Sequence, residues 1–97
     1  MNYAFHAAAE QDIADAQDFY AQHAGFQVAT RFLDELQHVI AFLLQHPGLG
    51  TPTTRSRRVL PLKTFSYSVV YRKESEHLRI LIVRHQSRKP DFVSNRH

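Results

Sequence analysis

Residues 57–91, RRVLPLKTFSYSVVYRKESEHLRILIVRHQSRKPD, decide how this chain is read. Three runs of β-forming residues lie in this stretch, at 59–62, 65–71 and 78–83, with short polar breaks between them. In the middle run Tyr67, Val69 and Tyr71 alternate with Ser66, Ser68 and Val70, the period of two expected of a half-covered strand. In the last run the same alternation places Leu78, Ile80 and Ile82 on one face and Arg79, Leu81 and Val83 on the other. Lys63 and Thr64 link the first two runs, and residues 72–77 link the second and third, both at hairpin length. The expectation is an antiparallel meander ending in a basic tail, Arg84-His85-Gln86-Ser87-Arg88-Lys89.

Upstream the period changes. Residues 1–6, with Tyr3 and Phe5 two apart, read as a short strand. From residue 7 to 23, Ala9, Ile13, Ala16 and Tyr20 fall three and four apart, one face of a helix. Glu10, Asp12, Asp15 and Asp18 take the remaining positions, mostly near the N-terminal end where the helix dipole favours negative charge. Gly25 is the expected stop, in the left-handed C-cap conformation that glycine adopts at low cost. A second helix is predicted over 26–45. Ala29, Phe32, Leu33, Leu36, Val39, Ile40, Leu43 and Leu44 give it a stripe wide enough to touch both a sheet and a neighbouring helix. The short link makes the pair an antiparallel hairpin. Residues 46–56, HPGLGTPTTRS, are expected to be loop. The fold class is therefore α+β, a helical hairpin on one face of a small, mainly antiparallel sheet. At 97 residues, one domain spanning 1–97 is expected.

Composition narrows the functional classes. There is no cysteine, so disulfides and thiolate metal sites are excluded. The seven histidines are scattered without metal-binding spacing, and no cofactor or metal is expected. The first residues lack a basic n-region and a long apolar run, and the longest apolar run, 39–44, is too short to span a bilayer. A cytoplasmic protein with no membrane contact is expected. Charge divides the chain: residues 1–54 carry one basic side chain against six acidic, and residues 55–97 carry eleven basic against three acidic. A basic second half facing an acidic first half suggests an anionic partner, either a nucleic acid or an acidic protein segment.

The candidate anion-binding or partner-binding residues are Arg58, Lys63, Arg72, Arg84 and Arg88, joined by Lys89. Arginine suits phosphate and carboxylate because its guanidinium forks onto two oxygens. Tyr67 and Tyr71 are of a type that stacks on bases, although tyrosine at period two is better read as core with its hydroxyl at the rim. His85 is the one candidate proton-transfer group. Arg84 and Arg88 beside it disfavour the imidazolium and keep a neutral base available to take a proton from a ribose 2′-hydroxyl. Against that stands a strand-end histidine bonded to backbone, and no second acid or base accompanies it.

In order along the chain, these motifs resemble the RelE/ParE superfamily of toxins from type II toxin–antitoxin pairs. Ala9, Asp12-Ile13 and Tyr20 match the opening "A..DL…Y" helix; Arg31-Phe32 and Leu36 match "RF…L"; Pro47 and Gly50 match the "P..G" loop. Residues 58–62 with 65–72 look like "R.L.L..FPY.VVYR", the most specific piece, and residues 82–90 look like the closing "I..V.H..R.P". The resemblance implies a cognate antitoxin that wraps and neutralises the toxin. It leaves two targets. RelE-type members cut messenger RNA on the ribosome with basic residues on the sheet and usually a C-terminal tyrosine. ParE-type members inhibit DNA gyrase without that set. This chain has no tyrosine after Tyr71, and Lys63 stands alone where RelE-type enzymes cluster lysines. The ParE-type reading is favoured, with the helices as the implied gyrase-contact surface. In the RelE-type alternative His85, Arg58 and Arg88 form the ribonuclease site. A third reading is a relative that has lost toxicity and acts only as a binding module.

Overall fold

The computed structural model describes residues 2–87. Its elements are β1 (Asn2–Phe5), α1 (Ala7–Ala24), α2 (Phe26–Gln45), β2 (Thr51–Pro52), β3 (Arg58–Pro61), β4 (Tyr67–Lys73) and β5 (His77–His85). The strands form one sheet in the order β1-β5-β4-β3-β2. The β2–β3, β3–β4 and β4–β5 pairs are antiparallel, and β1 joins β5 in parallel, with Asn2 opposite His77 and Phe5 opposite Ile80. The expected helical hairpin on a mainly antiparallel sheet is thus present. Residues 51–52, expected to be loop, form a two-residue edge strand instead; Pro52 sits on the outermost strand, where its missing N–H costs no ladder bond.

Both helices begin and end where local chemistry places them. His6 is the N-cap of α1, its Nδ1 accepting from the Ala8 N–H at 3.0 Å. Gly25 ends α1 and starts α2 by itself. It is not the left-handed C-cap that was expected. With φ 97° and ψ 163° it lies in an extended positive-φ region that is essentially restricted to glycine. One residue so shaped reverses two long helices. On α2, Ala29, Phe32, Leu36, Ile40 and Leu43 are buried, the spacing of the predicted stripe. Phe32, Leu36, Ile40 and Leu43 meet Leu78, Ile80 and Val83 of β5 and Val69 and Tyr71 of β4 in the main core. An aromatic group of Tyr20, Phe32, Phe65 and Tyr67 closes one end, with ring centroids 5.1–6.1 Å apart.

The last strand departs from strict alternation. Ile80 and Val83, three residues apart, both face the helices, while Leu81 and Ile82 join Val70 in a second cluster with Val59 alongside. A bulge reconciles them: Val70 pairs with Ile82, but Tyr71 pairs with Ile80, so Leu81 is the extra residue. The expectation that Ile82 shares a face with Leu78 and Ile80, and Val83 the opposite one, is corrected by that insertion. Asp12 reinforces the region. Its Oδ2 accepts the Val83 N–H at 3.0 Å, so this member of the acidic helix face turns toward the sheet and pins α1 to β5.

Candidate functional site

Among the described residues the candidates Arg58, Lys63, Arg72 and Arg84 take different places on the sheet. Arg58 on β3 directs Nη1 back at the loop before β2, donating to the Gly50 carbonyl at 2.8 Å and the Gly48 carbonyl at 3.1 Å. The same loop is held from beneath. The Tyr71 hydroxyl, in a fully buried side chain, donates to the Pro47 carbonyl at 2.7 Å and accepts from the Gly50 N–H at 2.9 Å. Gly50 must be glycine here, because a Cβ would stand 2.8 Å from the Tyr71 Oη and 2.9 Å from its Cε1. Tyr71 is therefore core, and Arg58 together with Tyr71 clamps residues 47–50.

Arg72 lies at the far end of β4 and pairs within its own hairpin, donating from Nε at 3.3 Å and Nη2 at 2.9 Å to Glu74 Oε2. Glu74 also faces His77 Nε2 at 3.1 Å. Its carboxyl is held below the usual range by the Arg72 hydrogen bonds first, and by the nearby positive charges of Arg72, His77 and Arg79. Arg84 is half-buried beside a recess of about 200 Å³ whose walls include Asp12, Asp15, Phe19 and His85. Arg88, with Lys89, falls outside the described residues.

His85 ends β5 with its ring edge-on to Tyr67, centroids 5.3 Å apart. Its Nδ1 accepts the Ser87 N–H at 3.2 Å and lies 2.7 Å from the Ser87 Oγ. A neutral imidazole whose Nδ1 is an acceptor carries its proton on Nε2, so the basic nitrogen is turned to the protein's own turn. This is the strand-end arrangement weighed against proton transfer in the sequence.

Lys63 differs from the other candidates. It is exposed on the β3–β4 link and lines a groove of about 340 Å³ between α2 and the β2–β3 side of the sheet. Its walls include the half-buried Val39 and Leu60, with Pro61 exposed beside them, and Phe42 and Leu49, each about half exposed. Glu35 also borders the groove, but its charge is already spoken for. Oε2 accepts the Thr64 N–H at 3.0 Å. Burial pushes this carboxyl up; hydrogen bonds from Thr64, Phe65 and Lys63 outweigh it and leave it below the usual value. His38 Nδ1 is engaged with the Asp34 carbonyl at 2.7 Å. An apolar trough with one outward-facing ammonium suits an amphipathic segment carrying an acidic residue.

Charge was not the only signal. Phe26 is 78% exposed and Phe19 52% exposed at the Gly25 end of the helical hairpin, and the Phe19 ring stacks on His23 at 4.6 Å. Periodicity leaves both outside the apolar stripe, and that exclusion is the trace the sequence offers of a surface use. Among the described residues no group of His, Asp or Glu is placed to hold a metal ion. No helix among them is long and apolar enough to cross a membrane.

Comparison with known proteins agrees with this architecture. A protein-family model described as the ParE toxin of the type II toxin–antitoxin system parDE matches residues 3–90. Toxin ParE2 of Mycobacterium tuberculosis, in strains CDC 1551 / Oshkosh and ATCC 25618 / H37Rv, is 31% identical over 88 residues, 91% of this chain and 84% of the relative. A solved structure of the chromosomal ParDE TA system from P. aeruginosa superposes with a TM-score of 0.78 at 20% identity, covering 88% of this chain and 95% of the other, a likeness of fold. With helical hairpin, meander and motif order all accounted for, the chain belongs to the ParE toxin family of type II toxin–antitoxin systems.

Proposed function

We propose that this toxin arrests growth by binding DNA gyrase through protein–protein contact in the cytoplasm, and that its cognate antitoxin neutralises it by occupying the Lys63 groove. The observation that carries the choice of gyrase over RNA is where the cations point. Arg58 is bonded to the Gly48 and Gly50 carbonyls, Arg72 to Glu74, and His85 turns its accepting nitrogen to Ser87. A ribonuclease site needs a base and charge-stabilising donors converging on one phosphate. Here Arg58 and His85 serve separate structural ends. Contact through the hairpin end is supported by Phe26 and Phe19, since exposed aromatic anchors carry much of the energy of protein interfaces.

Induced expression in a bacterium tests the target. Gyrase poisoning produces cleaved DNA, filamentation and an SOS response; ribonuclease action produces immediate translation arrest and cut transcripts, and would refute the proposal. His85→Ala is expected to leave toxicity intact. Phe26→Asp is expected to abolish it with an unchanged circular dichroism spectrum. For the antitoxin, Lys63→Glu is expected to weaken neutralisation while the toxin remains active; full neutralisation of that variant would place the antitoxin elsewhere.

A further inference from the structure

The strand β1 presents an edge made for pairing. The Asn2 N–H donates to the Glu76 carbonyl at 3.5 Å and the His6 N–H to the Ile80 carbonyl at 2.8 Å, both toward β5. Backbone groups of alternate residues address opposite sides, so the N–H and C=O of Tyr3 and Phe5 face outward, where the sheet has no further described strand. Natural edges are blunted by charge, proline, bulges or brevity. The opposite edge follows that practice, with only two residues, one of them Pro52. β1, with the sequence NYAF, is twice that length and carries no charge and no proline.

Its side chains add a second feature. Tyr3 and Phe5 point to the helix side, edge to face at 5.5 Å, and Tyr3 is 46% exposed. They border an apolar groove of about 260 Å³ whose other walls include Ile13, Leu33, Leu36 and Ile40, with Glu10 as its one charge.

We infer that β1 pairs with β1 of a second copy of this chain, antiparallel about a two-fold axis that sets Ala4 opposite the partner's Ala4. In that register Tyr3 lies opposite the partner's Phe5 and Phe5 opposite the partner's Tyr3. All four residues then use both outward backbone groups, as a hydrogen-bonded antiparallel pair requires. The aromatic rings meet across the seam on the helix side, the cross-strand arrangement that stabilises a sheet. A slip by one residue would turn these rings to opposite faces. Self-complementarity is what selects a second copy: the strand carries no charged side chain, and its two aromatic residues are each other's match in this register. The contact area is small, which places the dimer in the weak class. Each copy brings a Glu10 to the groove beside the seam, so the like charges make the dimer tighter at high salt, whereas a basic extended peptide on the same edge would bind more weakly there.

The test uses the full chain made by cell-free synthesis. Sedimentation equilibrium from about 10 µM to about 1 mM, the range proper to a small interface, is expected to show the mass rising from 11.3 kDa toward twice that, more steeply at high salt. Tyr3→Pro removes an N–H that makes no bond among the described residues, and is expected to stay monomeric with an unchanged thermal melt. Tyr3→Lys gives the same readout by charge should the proline variant fold poorly. Hydrogen exchange at the Tyr3 and Phe5 amides is expected to slow as concentration rises. A wild-type monomer throughout, a dimer that survives both variants, or protection of those amides only when antitoxin is added would each overturn the inference, the last assigning the edge to the antitoxin.

Discussion

Removing one oxygen from the core tests the clamp on residues 47–50. In Tyr71→Phe the ring remains and the packing is conserved. What is lost is the donor to the Pro47 carbonyl at 2.7 Å and the acceptor for the Gly50 N–H at 2.9 Å. Gly50 is buried, so water cannot replace the acceptor, and a buried unsatisfied group costs about 1–3 kcal/mol. The Pro47 carbonyl is half-buried and can find water, so its loss adds little. The expected total is about 2 kcal/mol. For a domain of this size that is a sizeable share of the ~5–15 kcal/mol available, and corresponds to a melting temperature lower by about 10 °C. Urea denaturation followed by circular dichroism measures it as a fall in midpoint with unchanged slope. Gly50→Ala should be destabilising by a different route, its Cβ forced to 2.8 Å from the Tyr71 Oη. Combining the two removes the Oη contact but keeps the ring carbon Cε1 at 2.9 Å, so the double variant should regain only part of the Gly50→Ala cost. A Tyr71→Phe cost below about 0.5 kcal/mol would refute the clamp.

Three other substitutions probe separate parts of the fold. Gly25→Ala meets no atom within 4 Å, so its cost is conformational alone; at φ 97° about 1–3 kcal/mol is expected, read from the same urea titration. Asp12→Ala leaves the Val83 N–H beside the bulge without its carboxylate acceptor, and should cost about 1–3 kcal/mol and speed exchange of that amide. Glu35 has its folded-state pKa lowered, so the stability it contributes is present above the ordinary carboxylate value and is lost as pH falls through the lower folded value. Glu35→Gln should therefore flatten the acid limb of a stability–pH curve below about pH 4.3, measured by thermal melts.

The helices were legible because α2 is amphipathic in the ordinary way: Phe32, Leu36, Ile40 and Leu43 occupy the predicted stripe and are buried. The meander was legible for the same reason in β4. The bulge was not, because residues 80–83 read Ile-Leu-Ile-Val and are apolar at both parities, so no pattern marks which residue is extra. Asp12 looks like any acidic residue on a polar helix face, and only the position of Val83, 71 residues away, turns it inward. The parallel place of β1 is likewise a long-range fact. For the candidate site, sequence locates charge but not direction. Arg58 and Lys63 looked alike, yet one guanidinium folds back onto two carbonyls while the ammonium stands at the mouth of an apolar groove.

The parallel pairing of β1 with β5 has a kinetic consequence. Asn2 and His77 are 75 positions apart, so the first and last described strands meet only after the residues through β5 have been made. The helical hairpin and the β3–β4–β5 meander are local and can form early; closing the sheet with β1 carries the largest loop entropy and should come late. A chain interrupted before Leu78 would lack the strand on which both β1 and β4 depend, leaving Tyr71 and Phe32 without their cover. Synthesis of this toxin that stops before β5 should therefore yield no partly active product.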